Sequence, residues 1–128
     1  MNQLTHFAIH ASNVKRAATF YEKVFNWKCA GYGEPGVTDE EFVQIFGEDR
    51  KLYGAIQARK FNPLQTDILG FECSIEVSDV QTIAPAVESA GGKIVMKRTA
   101  IPGVGWIVKF LDPEGNLCCA INFDRTAK

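Results

Sequence analysis

Polar side chains recur at every second position in two apolar stretches of the sequence, a pattern that is typical of half-buried strands. They are His6 and His10 in the first stretch, and Glu72, Ser74 and Glu76 in the second. Because alternate residues of a strand point to the same side, each set is expected to line one face of a sheet. A buried carboxylate beside a histidine can serve as a general base. We therefore predict Glu72 and Glu76 as catalytic bases, and His6, His10 and Ser74 as ligand-binding residues.

A purely structural explanation of the same pattern stays open. Either glutamate would pair with a histidine on a neighbouring strand or reach solvent, because a buried carboxylate without a partner is costly. His6 and His10 are separated by about 13 Å of extended strand, so both cannot reach one ion without a bulge. We expect His10 to be a rim residue bonded to backbone or water.

The bulk composition argues against several classes of function. Hydrophobic residues make up 46% of the chain and charged residues 23%, with a net charge of −1, as in an ordinary globular protein. No basic cluster indicates nucleic-acid binding, no apolar run could span a bilayer, and the start lacks a signal-peptide pattern. The four cysteines form no CxxC motif. We expect reduced thiols in a cytoplasmic protein without nucleic-acid or membrane partners.

The first half of the chain is predicted to fold as a strand, a helix and three strands. The first strand covers about 4–11, and the helix runs from about 13 to 25 with Ser12 as its N-cap. The remaining elements are strands at about 27–32, 41–47 and 52–58, a loop at 31–40 and a linker at 59–70.

The second half repeats this order of elements. A strand at 70–77 precedes a helix that Ser78 and Gln81 would cap together, and that ends at Gly91-Gly92. Pro85 lies inside this helix and is expected to kink or divide it. A strand at 93–98 and a loop at 99–105 follow.

The stretch from Trp106 to Phe123 is predicted to be a hairpin. Asp112, Pro113 and Gly115 have the chemistry of a type I turn with the glycine in a bulge. The loop at 99–105 is predicted to close over a cavity as a lid, which would make Trp106 a ligand-binding residue.

An internal duplication explains the repeated order. A shift of 66 positions aligns five identical pairs, which are Ile9 with Ile75, Ser12 with Ser78, Val14 with Val80, Ala18 with Ala84, and Glu22 with Glu88. One helix and four strands have a single apolar face and cannot form a core alone. We therefore predict an α+β fold in which two βαβββ modules, about 4–60 and 70–124, form one open, cupped mixed sheet with the helices outside, as a single domain.

Three motifs occur together over nearly the whole chain: FYEKVFNW at 20–27, AGGK at 90–93 and DPEGN at 112–116. In this combination the sequence resembles the vicinal oxygen chelate superfamily, which includes glyoxalase I, extradiol dioxygenases and bleomycin-resistance proteins. Within it, the chain is most similar to small proteins related to lactoylglutathione lyase. The resemblance implies paired βαβββ modules, a cupped sheet, a small-molecule ligand and commonly a homodimer.

The resemblance also implies where a metal would be held. Metal-dependent members take one ligand from the first strand and one from the last strand of each module. Here the first-strand positions are His6 and Glu72, and the last strand of the second module offers Cys119. The corresponding position of the first module falls near Gly54 or Ala55, which carry no ligand. The usual ligand set is degraded, so we expect either no cofactor or one divalent ion at His6, Glu72 and Cys119.

Three functions stay open from the sequence. The first is a metal-free glyoxalase-like or bleomycin-resistance-like protein that holds a small molecule of unknown identity in the cupped sheet. The second is a divalent-metal-dependent lyase, isomerase or dioxygenase with His6, Glu72 and Cys119 as ligands. The third is a metal-free lyase or isomerase with Glu72 or Glu76 as base. Packing on an apolar strand explains Cys119 better than a nucleophilic role does.

Overall fold

The structure is a computed structural model that describes residues 1–33 and 36–128. The chain divides into two compact units. The N-terminal module comprises His6–Phe71, and the C-terminal module comprises Glu72–Lys128 together with Met1–Thr5. Each module contains one α-helix and four strands in mixed parallel and antiparallel pairing. The predicted α+β fold with two βαβββ modules is thereby confirmed.

The N-terminal module packs its helix on one face of its sheet. Its elements are β1 (Gln3–Ala11), α1 (Val14–Phe25), β2 (Lys28–Gly31), β3 (Phe42–Phe46), β4 (Leu52–Ala58) and a short 3-10 helix at Arg59–Phe61. β4 pairs in parallel with β1 and antiparallel with β3, and β3 pairs antiparallel with β2. The core contains Val14 and Ala18 of α1, which pack with Ile9, Ile45 and Ile56 of the sheet.

Helix α1 begins one residue later than an N-cap at Ser12 would place it. Asn13 is the cap, and its side-chain oxygen accepts a hydrogen bond from the Arg16 amide at 2.9 Å. Both residue types cap helices well, so their order alone could not distinguish them. The helix ends at Asn26, which takes the left-handed conformation with φ of 58°. Within the predicted loop at 31–40, Glu34 and Pro35 lie outside the described residues.

The C-terminal module has the same topology. Its elements are β5 (Phe71–Glu76), α2 (Val80–Ser89), β6 (Lys93–Ile101), β7 (Gly105–Leu111) and β8 (Leu117–Phe123). β8 pairs in parallel with β5 and antiparallel with β7, and β7 pairs antiparallel with β6. Helix α2 starts at Asp79, whose carboxylate accepts a hydrogen bond from the Gln81 amide, and not at the Ser78 cap that was predicted. Pro85 does not divide the helix.

The β7–β8 hairpin turns as the sequence predicted. The Asp112 carboxylate accepts hydrogen bonds from the amides of Glu114 and Asn116, and the Asp112 amide donates to the Asn116 carbonyl. Gly115 has φ of 85°, the left-handed conformation that a bulge of this type requires. Asp112 is held as a carboxylate by these contacts, since the hydrogen bonds from Asn116 lower its pKa.

The predicted lid at 99–105 is wrong. β6 continues to Ile101, so only a tight turn separates it from β7. The Val104 amide donates to the Ile101 carbonyl, and the Val104 carbonyl accepts from the Asp124 amide. The Gly103 amide donates to the Ala127 carbonyl. These backbone hydrogen bonds connect the turn to the segment 124–127 and leave no separate loop at 99–101.

Candidate functional site

The sheet of the C-terminal module has two unlike faces. On one face, Val108 and Ala120 pack with Val80 of α2. On the other, Ile107 and Ile121 form a separate cluster, which we call the open face because it lies opposite α2. Side chains alternate along each strand, so every second residue of β5, β7 and β8 belongs to the open face.

A row of polar side chains crosses the open face. Ser74 of β5 is in register with Cys119 of β8, and Cys119 is in register with Lys109 of β7. Glu72 is two residues before Ser74 on β5 and therefore shares this face. The strand register thus brings three of the predicted residues, Glu72, Ser74 and Cys119, beside a lysine that was not predicted.

Glu72 and Lys109 form a buried ion pair. The Lys109 Nζ lies 2.8 Å from the Glu72 Oε1, and the two side chains are 10% and 3% exposed. Removing two charges from water costs several kcal/mol per ion, which only close pairing and further hydrogen bonds can offset. Two other ion pairs, Lys15 with Glu40 and Lys60 with Glu41, join exposed or half-exposed side chains.

Lys109 could have been found from the sequence. It stands at the alternate position between Ile107 and Leu111 in a strand that is otherwise apolar. A charge at an inward-facing position requires a partner, and this signal points to a polar site.

Cys119 is protonated at neutral pH. Burial raises the pKa of its thiol to about 11, while the Ser74 hydroxyl and the Lys109 ammonium act in the opposite direction. A thiol with so high a pKa is a poor nucleophile, because nucleophilic attack needs the thiolate. The structure therefore agrees with the packing explanation for Cys119, within the cluster of Ile107 and Ile121.

The two other predicted residues of this module differ in position. Glu76 is half-buried on β5, and its carbonyl accepts a hydrogen bond from the Asn2 amide at 2.6 Å. Trp106 packs against the α2-side cluster, opposite the open face. Its Nε1 donates to the Asp124 carboxylate, and the Arg98 guanidinium lies 3.5 Å above its ring. Trp106 therefore does not line the face that carries Glu72.

The N-terminal module places its polar residues on the face opposite α1. His10 is in register with Gln57 of β4, and both are buried. Within the described residues, the Gln57 Nε2 has no hydrogen-bond partner, although the residue is only 8% exposed. His6 lies on the same strand at alternate spacing and is half-buried. These residues could donate to or accept from a polar group of a ligand.

The registers of the two modules correspond. Ala8 pairs with Ala55 in β1 and β4, as Ser74 pairs with Cys119 in β5 and β8. Ala55 is therefore the counterpart of Cys119. Gln57 lies two residues farther along β4.

Comparison with known proteins identifies the fold family. Residues 3–119 match the sequence profile of the Glyoxalase/Bleomycin resistance protein/Dioxygenase superfamily. The chain belongs to this superfamily. The resemblance on which the sequence prediction rested is confirmed, and the superfamily includes both enzymes and resistance proteins.

Two curated proteins are similar to this chain over most of its length. They are the anthracycline biosynthesis proteins DauV of Streptomyces sp. (strain C5) and DnrV of Streptomyces peucetius, each 26% identical in an alignment 121 positions long that covers 85% of this chain. The match covers only 42% of each of those proteins.

Solved structures share the superfamily fold. The Mn(II)-bound glyoxalase from Novosphingobium aromaticivorans has a TM-score of 0.65 and 16% identity, over 98% of this chain and 40% of that one. A methylmalonyl-CoA epimerase from Streptomyces coelicolor, in complex with 2-nitronate-propionyl-CoA, has a TM-score of 0.63 and 13% identity, over 96% and 98% of the two chains. At these identities the likeness concerns the fold.

The residues of this chain do not fit the metal site that the superfamily implies. Glu72 is engaged by Lys109, Cys119 packs in an apolar cluster with Ile107 and Ile121, and Ala55 has no ligating side chain. Across residues 1–33 and 36–128, no group of three or more histidine, cysteine, aspartate or glutamate side chains could hold a metal ion. In the same residues, no helix is both long and apolar enough to cross a membrane.

Proposed function

We propose that this protein is a metal-independent small-molecule-binding member of its superfamily, and that the open face of the C-terminal module contacts the ligand. The observation that carries the proposal is the buried Glu72–Lys109 ion pair, 2.8 Å long, at the position where metal-dependent relatives would place a ligand. A buried charged pair is retained at the expense of stability, so a role in recognition explains it better than a role in folding.

The ion pair indicates what the ligand would offer. An ammonium group has three N–H donors, and the Glu72 carboxylate engages Lys109 through one oxygen. The remaining donors suit a carbonyl, enol or phenolate oxygen. The Ser74 hydroxyl adds a donor or acceptor beside them, and Ile107 and Ile121 supply apolar contact. A ligand that is both aromatic and rich in carbonyl oxygens matches this surface.

The similarity to anthracycline biosynthesis proteins supports the same ligand class. Anthracyclines are planar aromatic molecules with quinone carbonyls and phenolic hydroxyls. Those proteins are more than twice as long as the matched region. The similarity therefore supports a class of ligand for this chain and does not support a particular reaction.

A fluorescence titration with doxorubicin tests the proposal. Saturable quenching is expected for the wild type, and its loss for the double variant Glu72→Leu/Lys109→Met, which replaces the ion pair by apolar groups of similar volume. The control is Glu41→Leu/Lys60→Met, which removes an exposed ion pair of the N-terminal module and should bind as the wild type does. Absence of binding, or unchanged binding by the double variant, would refute the proposal.

Catalysis without a metal is a second proposal for the same face. Glu76 is the better base, because Glu72 is neutralised by Lys109. Turnover by the wild type that Glu76→Gln abolishes, with doxorubicin binding unchanged, would establish it. The metal-dependent alternative with His6, Glu72 and Cys119 is opposed by the ion pair, which engages Glu72.

We also propose a homodimer in the cytoplasm. Val24 and Phe25 of α1 are large, apolar and exposed, which favours a covering partner. The described cysteines are all free thiols, which suits a reducing compartment. Light scattering should give twice the 14.2 kDa chain mass, and the mass of a single chain would contradict the dimer.

A further inference from the structure

We propose that the N-terminal module binds small organic anions in a pocket beside helix α1, taking a carboxylate or a phosphate monoester that is attached to an aromatic group. The pocket has a volume of about 370 Å³ and is formed by the end of β1, one side of α1 and Arg59. All of its lining residues belong to the N-terminal module. The site is therefore separate from the open face and does not depend on the function proposed for it.

Arg59 gives the pocket a fixed cationic wall. Its Nε donates to the Ser12 hydroxyl at 2.9 Å, and its Nη1 donates to the Ile68 carbonyl at 3.0 Å. A guanidinium has five N–H donors, so these two hydrogen bonds hold the group in place and leave others for a ligand. Such a planar, preorganised group binds carboxylate and phosphate through two parallel hydrogen bonds.

The arginines of the pocket lack the acidic partners that their lysine neighbours have. Lys15 lies 3.7 Å from Glu40, and Lys60 lies 2.6 Å from Glu41. Over residues 1–33 and 36–128, neither Arg16 nor Arg59 forms an ion pair. Two uncompensated guanidinium groups at one pocket attract an external anion.

The opposite wall of the pocket is apolar. Ala17, Phe20 and Tyr21 line it along α1. Phe20 is 54% exposed, and its ring meets the Tyr21 ring edge-on with centroids 5.1 Å apart. A ligand ring placed on this wall would cover exposed aromatic surface while its anionic group meets the arginines. The pocket thus selects an organic anion over an inorganic one.

The start of helix α1 does not supply the binding energy. The Arg16 amide already donates to the Asn13 side chain, and the Ala17 amide donates to the Asn13 carbonyl at 3.1 Å. The guanidinium groups and the aromatic wall therefore determine the specificity.

An amide-resolved NMR titration tests this site with four probes: phenyl phosphate, benzoate, inorganic phosphate and the neutral benzyl alcohol. Saturable shifts at Ser12, Arg16 and Arg59 are expected with phenyl phosphate or benzoate, and the tighter of the two identifies the anionic group. Inorganic phosphate should bind more weakly because it lacks the aromatic ring, and benzyl alcohol should bind more weakly because it lacks the anionic group. Equal binding of inorganic phosphate, or no saturation by either organic anion, would overturn the proposal.

Single substitutions locate the site. Arg16→Gln should weaken the organic anion about tenfold, the usual effect of losing a charge-assisted hydrogen bond. This variant is expected to fold, because the Arg16 side chain is exposed. Lys15→Gln, an adjacent exposed cation that pairs with Glu40, is the matched control and should leave the affinity unchanged. Equal weakening by both variants would show a diffuse charge effect and would contradict a pocket.

Discussion

Replacing Lys109 by methionine tests the buried ion pair most severely. The substitution keeps the apolar stem and removes the charge, so the Glu72 carboxylate, which is 3% exposed, loses the ammonium group paired with it. Breaking a buried pair in this way costs about 3–5 kcal/mol of the free energy of unfolding, and Glu72→Leu should cost a similar amount. The double variant leaves no buried charge, so it should lie within about 1 kcal/mol of the wild type or above it.

Urea denaturation of the wild type, the two single variants and the double variant gives a double-mutant cycle. The cycle measures the interaction energy between Glu72 and Lys109. The expected interaction energy is at least about 3 kcal/mol, which is well above the error of the method. Lys60→Met is the matched control, because its pair with Glu41 is equally short but 58% and 28% exposed, and it should cost less than about 1 kcal/mol. The reasoning is refuted if Lys109→Met costs no more than Lys60→Met, or if the single effects simply add.

Three further predictions concern local features of the structure. Cys119 should resist thiol reagents at pH 8 in the native protein and react in urea, because burial raises its pKa to about 11; peptide mass spectrometry that finds it labelled in the native state would contradict this. Asn13→Ala should lower the free energy of unfolding by about 1 kcal/mol in urea titrations, since α1 loses its cap. Asp112→Ala should destabilise the protein above about pH 4, and this difference should shrink on acidification, because the folded-state pKa of Asp112 is depressed below 3.8 and its contribution is lost as the pH falls through that lower value. A difference that grows in acid would refute it.

Local chemistry made part of the fold predictable. The turn at Asp112–Asn116 needs only residues that are adjacent in sequence, and the duplication needs only a comparison of the chain with itself. The sequence placed the counterpart of Cys119 near Gly54 or Ala55, and the strand registers assign it to Ala55.

The sequence predictions failed where the structure depends on which strands pair and over what length. Pro102 and Gly103 mark a turn, but their sequence does not say that β6 pairs with β7 as far as Ile101 and leaves no lid. Trp106 was assigned to the ligand because of that lid, whereas its strand position puts it on the α2 face. Neighbouring cap residues, such as Ser12 and Asn13, differ too little in propensity to be told apart.

The sequence predicted only part of the candidate site, because it does not show which strands are neighbours. Glu72 and Ser74 were found because alternation along one strand identifies a face. Lys109 was missed because it lies on another strand, 37 positions from Glu72 in sequence, and the pair exists only through the order β5-β8-β7. The sequence could flag a lysine in an apolar strand, but it could not name the partner.

Metal content tests the central claim most directly. The tag-free protein would be incubated with zinc, nickel, manganese and ferrous iron in separate samples, desalted and analysed by elemental mass spectrometry beside His6→Ala and Glu72→Gln. With Glu72 held by Lys109 and no ligating side chain at Ala55, we predict far less than one ion per chain in every sample. One ion per chain in the wild type, lost in both variants, would contradict the account and establish the metal-dependent function.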